Sequence, residues 1–443
     1  MKLFKKFITT IVTASMCVGF MGQTVNATEN TIIKPAMTDE ILAESAIVMD
    51  IDTGTVLYEK NADVQQHPAS ITKILTALIA LENGKLDEEV TFSQQAVGKN
   101  ESSASAHIAR DVGEKMSLKD CMYAMMLVSA NECADAIAEH IGGSIDNFVE
   151  MMNKRAKELG CTNSHFVCSN GLTDENHYVS ARDMALIAAK AYQNPEFRKI
   201  IGTKKYTIKP TNIHPEPTYL LNQHDMYHPY RTSKYLYKYC KGGKTGYTDI
   251  AKNTLVTYAE KDGMRLVAVV LKDTVSYSKY KDTTAMFEYG FNNYKHFSAD
   301  GIINLKSNKK IKKLYKGKNL KDLSLESGYV TLPNNTDTSK VSYDIKKVKR
   351  LQGSAKVGIL TLKNGDEVLG TTNILNKPEL KREQARIKAE KEAKAARAKR
   401  VKVFKTVFWI IVIVGAAVVV GLYVIQKKNN LKRRRRKRRR RKK

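Results

Sequence analysis

Three observations predict an α+β fold: a hairpin pattern at 45–60, two apolar strands at 253–260 and 264–272, and helical periodicity in the interval between them. A sheet assembled from both ends of one domain, with helices inserted between, is that arrangement. The hairpin rests on SAIVMDIDTGTVLYEK, two alternating runs around Asp52-Thr53-Gly54. Next, Ile71, Ile74, Leu75, Leu78 and Ile79 recur at i, i+3, i+4, i+7 and i+8, one apolar helical face. Further helices are expected at 117–140, 145–159 and 180–193. NTLVTYAE and MRLVAVVLK supply the returning strands, and a helix follows near 282–292. From about Phe297 to Asn376 the pattern changes to short alternating runs, including a hairpin around Asn364-Gly365, which predicts a small β-rich domain.

The two ends predict export and anchoring. Lys2, Lys5 and Lys6 precede an apolar run from Phe7 and a small-residue site at Val25-Asn26-Ala27, the pattern of a secretory signal peptide cut after Ala27. Thr406 to Ile425 carries no charge over a length that suits a hydrocarbon core of roughly 30 Å. Lys427 to Lys443 then holds 14 basic residues in 17, which orients the tail toward the cytoplasm. The expected organisation is a signal peptide at 1–27, a catalytic domain at 28–295 and a β-rich domain at 296–376. A charged helical stalk at 377–405, a transmembrane helix at 406–425 and a polybasic tail at 426–443 complete it.

A net charge of +29 invites a nucleic-acid reading. The tail supplies about half of that charge, and attraction to anionic lipid headgroups accounts for it more simply, so no nucleic-acid partner is expected. Beyond Cys17 there remain Cys121, Cys133, Cys161, Cys168 and Cys240. Five is odd, so at least one stays free or pairs between chains, and the spacings match no zinc site. His224 and His228 have helical metal spacing without the glutamate of a zincin, and read as surface histidines. Neither a metal nor a cofactor is expected.

The chemistry lies in three short motifs. Ser-x-x-Lys occurs four times, at Ser70/Lys73, Ser276/Lys279, Ser278/Lys281 and Ser307/Lys310, so the pattern alone carries little. Ser70 differs by context: Pro68 and Ala69 lead into the apolar-faced helix, placing Ser70 in its first turn with Lys73 on the same face. A helix N-terminus favours an alkoxide or oxyanion. A lysine pressed against an apolar core can release its proton and serve as base for a neighbouring hydroxyl. Ser129-Ala130-Asn131 is the only Ser-x-Asn and Lys244-Thr245-Gly246 the only Lys-Thr-Gly in the chain. Singly, each could be a helix cap or a strand lead-in; the ordered set within one domain's length points to a serine acyl-transfer site.

With these motifs, and with MDIDTGTVLYEKN, HPASITKILTALIALE, NGLTDENHYVSARDMALIA, KGGKTGYT and MRLVAVVL, the chain resembles the low-molecular-mass serine D-alanyl-D-alanine carboxypeptidases over about residues 38–376. The resemblance implies a β-lactamase/DD-peptidase-like catalytic domain, an antiparallel sheet flanked by helices with a helical subdomain, followed by the β-rich domain and membrane anchor. It implies peptidoglycan stem peptides ending in D-Ala-D-Ala as substrates and β-lactams as covalent inhibitors. Ser70 would attack the peptide carbonyl, Lys73 would accept its proton, and Ser129 would protonate the leaving D-alanine. Asn131 would hold the substrate amide, and Lys244, Thr245 and Gly246 would line the carboxylate end. The backbone N–H groups of Ser70 and Tyr247 would form the oxyanion hole. The family often places a carboxylate-binding arginine after the MRLVAVVL-type strand; the counterpart here is Lys279. Oligomeric state is left open.

Other readings compete. A class A β-lactamase would carry Ser-Asp-Asn and a Glu-x-x-Leu-Asn loop, whereas this chain has Ser-Ala-Asn, and Glu216 stands too far before Leu221-Asn222. A DD-endopeptidase, a transpeptidase, or a slowly deacylating β-lactam sensor would share every motif.

Overall fold

The computed structural model describes residues 35–98, 106–275, 277–316, 319–348, 355–365 and 367–386, with scattered positions beyond. Strands β1 (Ser45–Asp50) and β2 (Val56–Lys60) form the expected hairpin, and α1 (Lys73–Asn83) follows a single 3-10 turn at Ala69–Thr72. Next come β3 (Glu89–Thr91), α2 (Gln94–Gly98), β4 (Lys115–Ser117), α3 (Leu118–Leu127), α4 (Asn131–Gly142) and α5 (Ile145–Glu158). Then α6 (Ala181–Tyr192), α7 (Pro195–Ile201), β5 (Lys205–Ile208) and β6 (Thr218–Leu221) lead to three long strands, β7 (Cys240–Thr248), β8 (Lys252–Lys261) and β9 (Met264–Asp273). Helix α8 (Ser278–Asn293) closes this unit.

The main sheet has the order β2-β1-β9-β8-β7, antiparallel throughout, so chain-distant strands meet at β1 and β9. Alternation along β9 explains how one sheet serves two cores. Val267, Val269 and Leu271 point into a large cluster with the helices of the interval, while Leu266, Ala268 and Val270 pack with Met286 and Phe287 of α8. Period-two side-chain direction makes this division. With both faces covered, β1 is buried at every position.

Two expectations change. The run predicted as one helix over 117–140 is two, because Ser129 at φ 69° breaks the path between α3 and α4. A non-glycine residue in that region is uncommon and breaks the helical hydrogen-bond ladder. Ser70 lies one turn before the α-helix proper, in the 3-10 segment, with Ala69 at φ 51°.

The second unit begins with β10 (Tyr294–Ser298), α9 (Ala299–Ile302), α10 (Lys309–Leu314), β11 (Leu323–Leu325) and β12 (Tyr329–Pro333). It ends with β13 (Ser342–Lys347), β14 (Lys356–Asn364) and β15 (Glu367–Asn376). Its four-stranded sheet is ordered β11-β15-β14-β13, with the predicted hairpin joining β14 to β15. The two short helices were not anticipated. The unit meets the β1–β2 turn through the buried Asp50 carboxylate, which accepts from Thr331 Oγ1 at 2.8 Å and pairs with His296 Nε2 at 2.7 Å. Residues 377–386 continue as helix with mostly exposed side chains. The signal segment 1–27 and nearly all of the 406–425 run and the tail lie outside the described residues. Among the described residues, no helix is long and apolar enough to cross a membrane.

Candidate active site

Ser70, Ser129, Thr245, Gly246 and Tyr247 line one cleft of about 730 Å³, which Arg231 and Lys279 also border. Its floor is the contact between the 3-10 turn and β7. A Cβ placed on Gly246 would stand 2.9 Å from the Ser70 nitrogen, so only the bare backbone lets the strand approach this closely. Thr254 Oγ1 of β8 donates to the Pro68 carbonyl at 2.8 Å and holds the turn from below.

Lys73 is fully buried, and its Nζ donates to Ser70 Oγ at 3.0 Å, Asn131 Oδ1 at 2.6 Å and the Asn170 carbonyl at 2.6 Å. Three acceptors match the three protons of an ammonium. Burial nevertheless pulls its pKa down to about 8, against the opposing fields of Cys168, Asp135 and Glu132. The amine is therefore within reach of its neutral, proton-accepting form. Asn170 is itself held by Asp135, which accepts from Asn170 Nδ2 at 3.1 Å and from Ser169 Oγ. No motif marks Asn170 for this role, because its contact to Lys73 is made by a main-chain carbonyl that no residue type encodes.

The break between α3 and α4 sets the second motif. Asn131 begins α4 and reaches Lys73, while Ser129, at 7 % exposure, faces the cleft. Its Oγ is buried and makes no hydrogen bond within the described residues. A buried hydroxyl left without a partner costs about 1–3 kcal/mol. Such a group is suited to meet a ligand atom.

The third motif lies in β7, not merely before it. Lys244 is buried and donates to the Thr245 carbonyl at 2.8 Å. Burial, then repulsion from Lys73 and Lys279, lowers its pKa well below the usual lysine value. Thr245 is half-buried and Tyr247 exposed, as strand alternation at a cleft edge requires. Lys279, near the start of α8, donates to Asn253 Oδ1 at 2.9 Å. Burial, then the nearby Arg231, brings it to about 8. Arg231 was not singled out from sequence, since no motif surrounds it.

The reading of His224 as a surface residue is overturned. It is 2 % exposed, its Nε2 stands 3.0 Å from Thr257 Oγ1, and burial lowers its pKa to about 3. It packs under Gly243 of β7 and so supports the third motif from behind. All five cysteines of the described chain are free.

A serine activated by a buried lysine, at the junction of a helical bundle and the edge of an antiparallel sheet, defines a serine acyl-transfer enzyme. The model of the D-alanyl-D-alanine carboxypeptidase family matches residues 30–275, and the chain belongs to that family of serine peptidases. It is 32 % identical over 349 residues to the Bacillus subtilis D-alanyl-D-alanine carboxypeptidase DacF, covering 77 % of this chain and 86 % of that one. Penicillin-binding protein 5 of Haemophilus influenzae superposes with a TM-score of 0.60 at 28 % identity, over 77 % of this chain and 98 % of that one. The Streptomyces K15 DD-transpeptidase superposes with a TM-score of 0.53 at 30 % identity, over 59 % and 100 %.

Proposed function

We propose that this protein removes the terminal D-alanine from peptidoglycan stem pentapeptides through an acyl-enzyme on Ser70, and that β-lactams acylate the same serine. The hydrogen bond between Lys73 Nζ and Ser70 Oγ inside the cleft carries this reading. Neutral Lys73 takes the Ser70 proton as Oγ attacks the carbonyl between the two D-alanines. The backbone N–H groups of Ser70 and Tyr247 receive the oxyanion, a contribution of about 3–4 kcal/mol per donor in related chemistry. Ser129, with its free hydroxyl, passes a proton to the departing amine. Asn131 positions the substrate amide, and Lys244, Thr245 and Gly246 bind the carboxylate end together with Lys279. Water then releases the shortened peptide.

Location belongs to the same proposal. The export pattern at 1–27, the uncharged run at 406–425 and the basic tail support a single-pass protein with its catalytic part outside the cell membrane. A stalk over 377–405 would hold that part off the bilayer.

A transpeptidase reading is favoured by one observation, the DD-transpeptidase among the structural neighbours. Incubation with a D-Ala-D-Ala pentapeptide separates the readings. Free D-alanine without cross-linked dimer is expected, and Ser70→Ala should abolish both this release and the penicillin mass adduct. Dimer formation would make the protein a transpeptidase. A durable adduct with no D-alanine release would make it a sensor.

A further inference from the structure

On one flank of the cleft, the segment 106–114 meets the turn at 211–214. Glu114 is fully buried; its Oε1 accepts from Arg110 Nη1 at 2.8 Å and Thr211 Oγ1 at 2.7 Å, and its Oε2 accepts from the Asp111 N–H at 3.0 Å. His214 Nε2 stands 3.1 Å from Asp111 Oδ2 and 3.4 Å from Glu114 Oε2. That nitrogen is buried, yet its geometry makes a hydrogen bond to neither oxygen. The three donor atoms all lie within 4.8 Å of one another.

The two distances from His214 Nε2 have a specific chemical meaning. Imidazole nitrogen and carboxylate oxygen bind zinc at roughly 2.0–2.2 Å, so two donors sharing one ion stand about 3–3.5 Å apart, with the nitrogen lone pair directed between the oxygens. We propose that Asp111, Glu114 and His214 form a site for a divalent first-row cation, zinc being the best match to one imidazole and two carboxylates. Arg110 occupies Glu114 Oε1, so Glu114 offers Oε2 alone. The Asp111 side chain is 61 % exposed and that of His214 33 %, so water can complete the coordination.

The site would act on the cleft through the main chain. The Ala106 carbonyl accepts from the Asn131 N–H at 2.8 Å, and the Ile108 N–H donates to Glu132 Oε1 at 2.6 Å. Arg110 Nη2 also reaches Thr218 Oγ1 at 3.0 Å. A cation at the end of this segment ties it to 211–218 and steadies the wall beside the Ser-x-Asn motif.

The test is metal binding, independent of peptidase activity. Full-length protein in detergent is stripped with a chelator, dialysed against zinc chloride, passed over a desalting column and assayed for metal. One zinc per chain is expected, and both His214→Ala and Asp111→Asn should lose it while still taking a penicillin adduct, which reports folding. The cysteines are common to all three proteins, so the difference reads this site alone. Should His214→Ala fail to fold, Asp111→Asn, at an exposed side chain, still decides. Zinc should also raise the melting temperature of the parent and leave that of Asp111→Asn unmoved. Absence of stoichiometric zinc from the parent, or equal zinc in Asp111→Asn, would overturn the proposal and leave the cluster as a side-chain contact within the protein.

Discussion

At the residue scale, the site holds three buried lysines, of which Lys73 must be neutral while Lys279 must be charged. Lys73 works as a base only when neutral, and burial brings it to about 8, so the acylation rate should rise with pH toward that value. At pH 6 the neutral fraction, and with it the rate, should be about a hundredfold below the plateau. Lys279, also near 8, binds a carboxylate only when charged, so substrate affinity should fall as pH passes the same value. The measurement is a pH profile of penicillin acylation, read separately for saturating rate and half-saturating concentration. Lys279→Arg, which stays cationic, should weaken the falling limb and leave the rising one, any remaining fall reporting Lys244. A flat acylation rate between pH 6 and 9 would rule Lys73 out as the base.

At the element scale, reactivity comes from places where regular structure stops. Ser70 sits in a 3-10 turn, Ser129 in the break between α3 and α4, and the carbonyl that holds Lys73 in the loop before Gly171. Gly171 has φ 87°, and a Cβ there would overlap the Ala69 carbonyl and approach Thr72 Oγ1 to 2.8 Å. Gly160 has a similar φ of 92° with open space around it. Gly160→Ala should therefore cost about 1–2 kcal/mol, the backbone penalty alone. Gly171→Ala should cost about 1–3 kcal/mol more through overpacking, and should slow acylation by displacing the turn that carries Ser70. Denaturant unfolding and penicillin labelling check both. Equal losses in the two variants would mean that the loop does not support the nucleophile.

At the scale of the whole molecule, no residue of the three motifs lies beyond Gly246, and the helices and sheet that position them close with α8 at Asn293. The second unit joins this body through Asp50, His296 and Thr331, none of which lines the cleft. Truncation before Lys405 should consequently release a soluble protein that still labels with penicillin at the parental rate. Fractionation of cells expressing it, followed by fluorescent-penicillin labelling, is the check. If the truncated form stayed with the membrane, the 406–425 run would not be the anchor; if released but unlabelled, the C-terminal segments would be part of the active fold.

The class of sheet, the helical interval, the three motifs and the family are legible in the amino-acid order alone, because periodicity and short-range spacing are local properties that survive without knowledge of packing. The ordered Ser-x-x-Lys, Ser-x-Asn and Lys-Thr-Gly set carried the nucleophile and its surroundings. Whatever depends on burial and backbone geometry had to come from the folded chain. It split 117–140 at Ser129, since a single residue of positive φ leaves no trace in apolar periodicity. It buried His224 beneath β7, and it brought the Asn170 carbonyl to Lys73 across 97 positions of chain. Desolvation of Lys73 arises from that enclosure, in which residues from several elements exclude water together, and no single stretch of sequence contains it.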